Sequence, residues 1–428
     1  MNPILRTLLY EWRDRTFPEI KPRDIKIDTT KRQGDNNATA ITGFRRSGKT
    51  YIVYEAIEKL LQEYSKEEVI YLNFEDERIP LQTETLTDLL PAIQATFGKK
   101  PKYLFLDELQ VIPNWGKWVR RILDSEDIQI FVTGSSSKMS SSELPTELRG
   151  RAWELKVSPL SFSEFLQFKN TSIDIEKMAF VADEQARFHY LFDEYLKFGA
   201  LPAVVLADPD KKQELLQSYF QTVVQSDISE RNKVGNEAAL RNMLRLLVNS
   251  KQITISKLYN TLKSLGIPIG KTTVDNYLKY IEESYFMKQL PIYNASVVNQ
   301  LSYPRKVYFV DTGFITALST KFSNNSGRLF ENVVYNRLSL QNDDMYYYRD
   351  DRDYEVDFVV LENEKAGALY QVCYDISSVD TVNREVRSLL KAGKSLNCSK
   401  LYLITPERDS NGLVPPEIVV LTPEKILW

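Results

Sequence analysis

A glycine-rich segment at residues 43–50 constrains the fold of this chain more than any other part of the sequence. It reads Gly-Phe-Arg-Arg-Ser-Gly-Lys-Thr and follows the short apolar run of residues 38–42. Gly43 and Gly48 permit a tight turn and a close approach of the backbone to an anion. The N–H groups of the turn and of a helix that starts directly after it then point at phosphate oxygens. The pattern therefore predicts a strand, a phosphate-binding loop and a helix, in that order.

The same segment predicts how a nucleotide is held. In such a loop the lysine, here Lys49, reaches the β- and γ-phosphates, and the hydroxyl of Thr50 ligates Mg²⁺. We therefore expect ATP and Mg²⁺ as cofactors. The alternative, a glycine turn followed by a chance Gly-Lys-Thr, is disfavoured by the flanking strand and helix patterns. The predicted nucleotide-binding residues are Gly43, Phe44, Arg45, Arg46, Ser47, Gly48, Lys49, Thr50 and Tyr51.

A second motif, Tyr103-Leu-Phe-Leu-Asp-Glu108, places two carboxylates at the end of an apolar strand. Residues that are apolar on both faces are typical of a buried strand in a parallel sheet. Asp107 is predicted to hold Mg²⁺, directly or through water, and Glu108 to polarise the attacking water. Because catalysis of phosphoryl transfer consists mainly of positioning and charge stabilisation, the adjacent Asp-Glu favours ATP hydrolysis over a kinase or a GTPase. The alternative is a solvated acidic turn.

Residues 128–151 contain further candidates for the hydrolytic site. The predicted strand Ile128–Val132 ends in hydroxyl side chains and is expected beside the strand that precedes the loop. Thr133 or Ser135 could orient the water or sense the γ-phosphate, or the serines could simply form a polar turn. Arg149 and, as the second candidate, Arg151 flank a glycine and could reach the γ-phosphate of a neighbouring subunit. Surface salt bridges are the alternative for both arginines.

Composition excludes several classes of protein. The chain has 428 residues, enough for two to four domains. Its net charge of −3 does not indicate a strongly basic nucleic-acid binder, although a local basic patch stays open. Two cysteines without metal-type spacing predict a reducing, cytoplasmic location, and a single histidine argues against chemistry built on histidine. No apolar run approaches the ~18 residues of a membrane span.

The order of predicted elements divides the chain into four segments. Alternating strands and helices up to residue 157 predict a parallel sheet covered by helices. A helical segment follows, and after it helices with helix-turn-helix spacing and one candidate wing strand. The last segment mixes strands and helices. The predicted domains are 1–157 (with an N-terminal helix and connector in 1–34), 158–232, 233–304 and 305–428.

Several motifs together resemble one family, the bacterial and archaeal AAA+-type ATPases that carry a C-terminal domain of unknown function. The resemblance implies an α/β fold class: a P-loop NTPase parallel sheet of the AAA+ type, a helical lid, a winged-helix segment and a mixed α/β, restriction-endonuclease-like C-terminal domain. It also implies a homo-oligomer, with a hexamer among the expected forms, and action on DNA for some members. The motifs are residues 43–50, 73–76, 105–108, 133–136, 148–151, 159–165, 196–202, 227–231, 311–313 and 327–332.

The resemblance also predicts a nuclease-like site in the tail that lacks essential groups. A nuclease of this fold uses a helix Glu, a strand Asp and Glu-x-Lys on the next strand, and Glu331 and Asp357 fit the first two positions. Gln371 and Cys373 stand where the second Glu and the Lys are needed. An amide is a poor Mg²⁺ ligand, and a thiol does not replace an ammonium. We therefore predict a scaffold without efficient cleavage, which could bind DNA or a protein.

Three functions remain open at this stage. The leading hypothesis is an ATPase that acts on DNA, with branched or recombination intermediates among the expected substrates. The alternatives are a nucleotide-gated switch that binds a protein partner, and an ATP-dependent nuclease with an atypical metal site. Basic residues interleaved with aromatic ones favour DNA. The predicted DNA contacts are Lys263, Lys271 and Lys279, and in the tail Arg328, Arg349, Arg352, Arg384 and Arg387 beside Tyr346–Tyr348.

Overall fold

The structure is a computed structural model, and it describes residues 3–30, 36–134, 144–178, 180–319, 326–406 and 412–427. The chain forms two compact units. One comprises residues 1–159 with 283–285, and the other comprises 160–282 with 286–428. Among the described residues, no helix has the length and apolar character needed to cross a membrane.

The first unit contains a five-stranded parallel sheet in the order β2-β3-β4-β1-β5. Because the carboxyl ends of parallel strands lie at one edge, the segments that follow β1 and β3 meet there. The elements are α1 (Pro3–Asp14), β1 (Ala38–Thr42), α2 (Lys49–Leu60), β2 (Val69–Asn73), α3 (Thr83–Phe97), β3 (Tyr103–Asp107), α4 (Trp115–Ser125), β4 (Gln129–Gly134), α5 (Leu144–Leu148) and β5 (Ala152–Lys156).

Apolar patterning explains the core of this unit. The central strands β1, β3 and β4 are almost wholly buried, as expected for a parallel sheet covered on both faces. Helix α1 buries Leu5, Leu8, Leu9 and Trp12, which recur on one helical face. The indole N–H of Trp12 donates to the carbonyl of Val69 at 3.0 Å and so fixes α1 against β2.

Strand β5 was not predicted from the sequence, and the structure shows why. It lies at the edge of the sheet and, among the described residues, pairs with β1 alone. Its residues, Ala-Trp-Glu-Leu-Lys, are half polar, and the Trp153 side chain is 59% exposed. An edge strand is solvated on one side, so it lacks the continuous apolar run that marks a buried strand.

The second unit begins with helices and ends with two sheets. The helical part comprises α6 (Phe162–Phe168), α7 (Ile175–Met178), α8 (Ala182–Phe198), α9 (Pro202–Leu206), α10 (Lys212–Thr222) and a π-helical turn (Val223–Glu230). The next part comprises α11 (Glu237–Val248), β6 (Gln252–Ile253), α12 (Ile255–Ser264), α13 (Lys271–Glu283), β7 (Met287–Leu290), α14 (Val297–Ser302) and β8 (Arg305–Phe309). The last part comprises α15 (Thr312–Leu318), α16 (Ser326–Ser339), β9 (Met345–Arg349), β10 (Glu355–Glu362), β11 (Lys365–Val372), α17 (Val379–Leu396), β12 (Leu401–Ile404), β13 (Ile418–Leu421) and α18 (Pro423–Ile426).

The two sheets of this unit differ in size and pairing. The smaller one is antiparallel, in the order β6-β8-β7. The larger one has the order β13-β12-β11-β10-β9 and is mixed, because β9, β10 and β11 run antiparallel while β11, β12 and β13 run parallel. Helix α17 connects β11 to β12 and packs its buried apolar side chains, such as Leu389, into the core of the larger sheet.

Strand β8 pairs across the predicted boundary between residues 304 and 305. That boundary assigned Arg305–Phe309 to the tail, but β8 is the middle strand of the smaller sheet and pairs with both β6 and β7. The pairing therefore joins this strand to the segment predicted as 233–304. The run of apolar and aromatic residues in β8 is typical of a strand, but such a run does not indicate which strands pair with it.

Two motifs of the second unit meet at the end of α8. Gly199 follows this helix with φ 73° and ψ −159°, a conformation that is essentially restricted to glycine. The carboxylate of Asp311, which caps the start of α15, accepts hydrogen bonds from the N–H groups of Gly313 at 2.8 Å and Ala200 at 2.7 Å. A Cβ atom on Gly199 would lie 1.7 Å from Asp311 Oδ1. The glycine is therefore required by the close approach of this carboxylate.

Candidate functional site

The phosphate-binding loop has the backbone that its glycines predict. Gly43 has φ 141° and Gly48 has φ 99°. A Cβ atom on Gly43 would lie 2.2 Å from the carbonyl oxygen of Val157, so only glycine fits there. Helix α2 begins at Lys49, directly after Gly48. The N-terminus of this helix and the turn before it therefore form the cradle of N–H groups that an anion requires.

Lys49 lies inside this cradle. Its side chain is buried, and its ammonium donates to the carbonyl oxygens of Gly43 at 3.0 Å and Phe44 at 3.1 Å. An ammonium at this position can exchange carbonyl oxygens for phosphate oxygens without a change in its place in the loop. The other predicted residues lie around it, Phe44 buried and Tyr51 exposed.

Arg23 donates hydrogen bonds to the backbone of the loop, and no pattern in the sequence indicated this role. The residue comes from the connector before β1 and is almost fully buried. Its guanidinium donates to the carbonyl oxygens of Ser47 at 2.9 Å and Ser158 at 3.1 Å. This contact ties the connector to the loop backbone through the carbonyl group of Ser47. No spacing rule connects an arginine to a loop 24 residues later.

Asp107 is the centre of a hydrogen-bonded network. Its Oδ2 accepts from the hydroxyls of Thr50 at 3.0 Å and Tyr71 at 2.7 Å, and its Oδ1 accepts from the hydroxyl of Thr133. Burial, followed by the negative charge of Glu108, raises the pKa of Asp107, while the three donors act in the opposite direction. The structure thus brings together the two predicted metal-binding residues, Thr50 and Asp107. Tyr71, on β2, was not predicted.

Glu108 follows Asp107 in an unusual backbone conformation. Its φ of 54° is left-handed, which is uncommon for a residue other than glycine. Its N–H donates to Thr133 Oγ1 at 3.0 Å, and its carboxylate accepts a hydrogen bond from the side-chain amide of Gln110. Thr133, one of the two predicted hydroxyls, therefore contacts both acidic residues. Ser135, the other, lies outside the described residues.

A third acidic residue lies near the loop. Glu75 accepts a hydrogen bond from the guanidinium of Arg45 at 3.3 Å. Burial and then the negative charge of Glu108 raise the pKa of Glu75. Glu75, Asp107 and Glu108 therefore concentrate negative charge at the carboxyl edge of the sheet. A divalent cation, with oxygen ligands, suits such a place.

The residues of this edge fit a nucleotide with its magnesium ion. The loop supplies N–H groups, Lys49 an ammonium, and Thr50 with Asp107 the hydroxyl and carboxylate oxygens that Mg²⁺ prefers. In addition, Ser47 Oγ is buried and has no hydrogen-bond partner within the part of the chain that the structure describes. A buried hydroxyl without a partner is costly, and a bound ligand would relieve that cost.

Arg149 and Arg151 lie at the opposite edge of the sheet. Strand β5 runs parallel to β1, with Ala152 beside Ala38 and Lys156 beside Thr42. The arginines precede β5, whereas the loop follows β1. A strand of this length spans roughly 16 Å, so neither arginine lies at the loop of its own chain. Arg151 forms an ion pair with Asp124, and Arg149 is exposed.

The tail brings its four predicted residues together at one cleft. Glu331 on α16, Asp357 on β10 and Gln371 on β11 line one cleft of about 500 Å³. Gln371 accepts from the N–H of Asp357 at 3.1 Å and donates to Glu385 on α17 at 2.7 Å. Cys373 also borders the cleft, and burial raises the pKa of its thiol to about 12, so it remains a neutral thiol and supplies no positive charge.

Lys306, which the sequence did not indicate, supplies an ammonium at the centre of this cleft. It lies on β8, and its Nζ is 2.6 Å from Asp357, 2.7 Å from Glu355 and 3.4 Å from Glu331. Burial disfavours its charge, but these carboxylates raise its pKa well above the ordinary value. Burial raises the pKa of Asp357 to about 7, with the ammonium acting against it. The Glu-x-Lys spacing of this site concerns a single strand, here β11, so it does not indicate a lysine on β8.

Comparison with known proteins identifies three matched segments. Residues 35–166 match the family described as AAA domain. Residues 189–325 and 326–422 match two domains of unknown function, DUF8612 and DUF4143.

Two solved structures are similar to the chain. The Walker-type ATPase PABY2304 of Pyrococcus abyssi is 13% identical, with a TM-score of 0.46, over 67% of this chain and 91% of its own. The ORC1 protein of Aeropyrum pernix, solved in complex with DNA, is 13% identical, with a TM-score of 0.30, over 74% of this chain and 91% of its own.

Two relatives share most of the chain. The uncharacterized protein MJ1544 of Methanocaldococcus jannaschii is 35% identical over 389 residues, which are 89% of this chain and 83% of the relative. An uncharacterized protein of Haemophilus influenzae is 32% identical over 305 residues, which are 69% of this chain and 72% of the relative. With the loop, the acidic pair and the parallel sheet in place, this extent of identity shows that the chain belongs to the family of AAA-domain P-loop ATPases that carry two C-terminal domains of unknown function.

Proposed function

We propose that this protein hydrolyses ATP at sites between neighbouring subunits and uses the energy for work on DNA. The observation that supports hydrolysis best is the network around Asp107. Thr50 of the loop, Thr133 of β4 and Tyr71 of β2 all donate to this one carboxylate, which lies directly before Glu108. Four elements thus hold the acidic pair in place beside the cradle for the phosphates.

Each candidate residue at the carboxyl edge of the parallel sheet has a role in this proposal. Lys49 and the loop N–H groups bind the phosphates, and Mg²⁺ held by Thr50 and Asp107 supplies positive charge against the developing negative charge. Glu108 orients and polarises the attacking water, and Thr133 fixes the backbone of Glu108 through its N–H. The left-handed conformation of Glu108 ends the extended run of β3 directly after Asp107. Positioning and electrostatics then account for the chemistry.

The position of the two arginines supports sites between subunits. Arg149 and Arg151 lie at the amino edge of the sheet, far from the loop of the same chain. In a homo-oligomer this edge of one subunit could face the loop of the next. Arg149 is the better candidate, because it is exposed while Arg151 is paired with Asp124. An arginine supplied in this way stabilises the charge of the transition state.

The DNA part of the proposal is supported by helices α11, α12 and α13 with the sheet β6-β8-β7. Three helices with a small antiparallel sheet of this connectivity are typical of a winged helix, in which the last helix enters a groove. Four lysines on α12 and α13 are exposed, and in the described part of the chain none of them forms an ion pair. They are Lys257, Lys263, Lys271 and Lys279.

The tail arginines support DNA binding less well than predicted. Arg328 is buried, and its guanidinium donates to the carbonyls of Val248 and Ser250. Arg349 pairs with Asp353, and Arg384 pairs with Glu385. Guanidinium groups engaged in this way have less free charge for phosphates. The proposal therefore assigns the main DNA contact to the helices and not to the tail.

One experiment tests both parts of the proposal. The ATPase rate and the DNA affinity are measured with single-stranded, duplex and four-way DNA at several salt concentrations. We expect Glu108→Gln to retain bound ATP and lose turnover, and Lys49→Ala to lose nucleotide binding or turnover. Lys271→Gln/Lys279→Gln should weaken DNA binding and reduce the salt slope by about two, without changing the rate measured in the absence of DNA.

The matched control for the lysine variants is Lys177→Gln/Lys211→Gln, which removes two exposed lysines outside these helices. The control should bind DNA as the wild type does. Normal hydrolysis by Glu108→Gln contradicts the ATPase assignment. DNA affinity that is independent of salt, or equal losses in both lysine pairs, contradicts the DNA assignment while leaving the ATPase assignment intact.

A second candidate function, a nucleotide-gated switch that binds a protein partner, is favoured by α14. This short helix between β7 and β8 exposes Val297, Val298 and Leu301 to solvent. Exposed apolar side chains in one place often mark a protein contact. A protein that hydrolyses ATP slowly and shows no salt-dependent DNA binding would fit this function better.

A further inference from the structure

We propose that the ammonium of Lys306 takes the place of a metal ion in the tail cleft, so that loss of this side chain turns the cleft into a divalent-cation site. The groups that a nuclease of this type would use for Mg²⁺, Glu331 and Asp357, are present in the cleft. The structure shows them already occupied by donors from the protein. The inference is independent of the proposed ATPase function.

Geometry places the ammonium between three elements. Asp357 and Glu355 are two residues apart on β10 and therefore point to the same face of the sheet. Glu331 approaches from α16, and Lys306 enters from β8 of the smaller sheet. Its Nζ lies within 3.4 Å of one oxygen of each carboxylate. Contacts from three sides at these distances are what a bound cation would make.

The oxygens that would face a metal ion already accept hydrogen bonds from the protein. Asp357 accepts from Lys306 at one oxygen and from the N–H of Val372, at 2.9 Å, at the other. Glu355 accepts from Lys306 at one oxygen and from the side-chain amide of Gln252, at 3.2 Å, at the other. The ammonium also lies at the point on which the carboxylates of Glu331, Glu355 and Asp357 converge, so a second cation there would meet both its volume and its positive charge. The residues present therefore do not fit Mg²⁺ while Lys306 remains in place.

Glu331 has a similar arrangement. Its Oε1 accepts from the hydroxyl of Tyr308 at 2.7 Å and faces Lys306 at 3.4 Å. Tyr308 and Lys306 are two residues apart on β8, so one strand supplies both donors to this carboxylate. Buried carboxylates need compensation by charge and hydrogen bonds. Strand β8 provides both, the positive charge from Lys306 and a hydrogen bond from Tyr308, in place of a metal ion.

Positive side chains on the surrounding elements also compensate the carboxylates of the cleft. Lys251, before β6, and the buried Arg328 on α16 also face Glu331 electrostatically. On the other side of the cleft, Glu385 is engaged by Gln371 and by Arg384. The three central carboxylates thus have three positive side chains around them, without any added ion. The lysine also ties the smaller sheet to the larger one.

The test uses the nucleotide-free full-length protein and Mn²⁺ as the probe. Mn²⁺ binding is followed by electron paramagnetic resonance, and thermal unfolding is followed with and without Mn²⁺. We expect Lys306→Met to lower the Kd for Mn²⁺ by about tenfold or more relative to the wild type, and Mn²⁺ to raise the Tm of the variant only. Asp357→Asn in the Lys306→Met background should abolish both effects.

Two further variants make the result decisive. Lys251→Met removes another lysine that lines the cleft but does not contact Asp357 or Glu355, and it should gain no Mn²⁺ affinity. Lys306→Met/Glu355→Gln removes one buried negative charge together with the positive charge, so that only Glu331 and Asp357 stay without the ammonium. This variant serves if Lys306→Met does not fold. Any Mn²⁺ held at the nucleotide site is common to all variants and cancels in the comparison.

Three results would overturn the proposal. The first is equal Mn²⁺ affinity in the wild type and in Lys306→Met. The second is a failure of both Lys306 variants to gain Mn²⁺ binding or Mn²⁺-dependent stability. The third is metal-dependent cleavage of DNA by the wild type that is lost in Asp357→Asn, because that would require a metal ion where the ammonium lies.

Discussion

At the scale of single residues, local motifs were predictable and their long-range supports were not. Thr50, Asp107 and Glu108 could be assigned because each belongs to a short run whose spacing has a chemical reason. Tyr71 and Arg23 could not, because each reaches its partner across many residues of sequence, 36 in the case of Tyr71 and Asp107. Such contacts depend on the order of the strands in the sheet. A single sequence does not reveal that order at the level of side chains.

Tyr71 provides the residue-scale prediction. Tyr71→Phe keeps the ring but removes one donor from Asp107, and a hydrogen bond to a charged group contributes about 1.5–3 kcal/mol. Because that donor lowers the pKa of Asp107, its loss should raise this pKa further, and protons should then compete with Mg²⁺ more strongly as the pH falls. We expect kcat to drop roughly tenfold or more, and the Mg²⁺ concentration for half-maximal rate to rise more at pH 6 than at pH 8.

The control for this prediction is Tyr54→Phe. The hydroxyl of Tyr54 lies 3.4 Å from that of Tyr71 and does not contact Asp107. Its removal should leave the Mg²⁺ dependence almost unchanged. If both variants shift the Mg²⁺ requirement equally at the two pH values, Tyr71 acts through packing and not through the carboxylate.

At the scale of elements, periodicity succeeded where one face of an element is buried. Helix α3 buries Leu86, Leu89 and Ile93 on one face, and β9 buries alternate residues, as the apolar period of each element predicts. Strand β5 was missed because an edge strand exposes too many of its side chains to show the pattern. The pairing of β8 was missed for a different reason, since a hydrophobic run indicates a strand but not its partners.

Gly199 provides the element-scale prediction. Gly199→Ala should destabilise the second unit by roughly 3 kcal/mol or more, because the added Cβ would overlap the carboxylate of Asp311 in a region of φ and ψ reserved for glycine. Gly266→Ala is the matched control. Gly266 has nearly the same φ, 74°, and open space around it, so it should cost only about 1–2 kcal/mol. Urea denaturation followed by circular dichroism measures both. Equal costs would show that the approach of Asp311 is not what requires the glycine.

At the scale of the whole molecule, the sequence predicted the ATPase unit better than the tail. The ATPase site is built from consecutive motifs that meet at one edge of a parallel sheet, so strand order alone brings them together. The tail cleft takes Glu331, Asp357 and Lys306 from a helix and from strands of two different sheets. Residue 373, directly after β11, is a cysteine where the spacing rule for this site expects a lysine. That rule could not show that β8 brings a lysine to the same carboxylates.

A mixing experiment tests the largest-scale expectation, that an arginine of one subunit completes the nucleotide site of the next. Lys49→Ala has a defective loop and intact arginines, whereas Arg149→Ala has an intact loop and lacks the first candidate arginine. Each variant alone should hydrolyse ATP more slowly than the wild type. If Arg149 stabilises the transition state, its loss should lower the rate by about 10³-fold. Mixed at concentrations that permit assembly, they should recover activity, because some interfaces then combine a normal loop with a normal Arg149. Arg121→Ala, which removes an exposed arginine on α4, should keep the wild-type rate by itself.

If the mixture is no more active than the sum of its parts while both variants assemble normally, Arg149 does not act between subunits. Arg151→Ala, mixed in the same way, then decides whether the second arginine does.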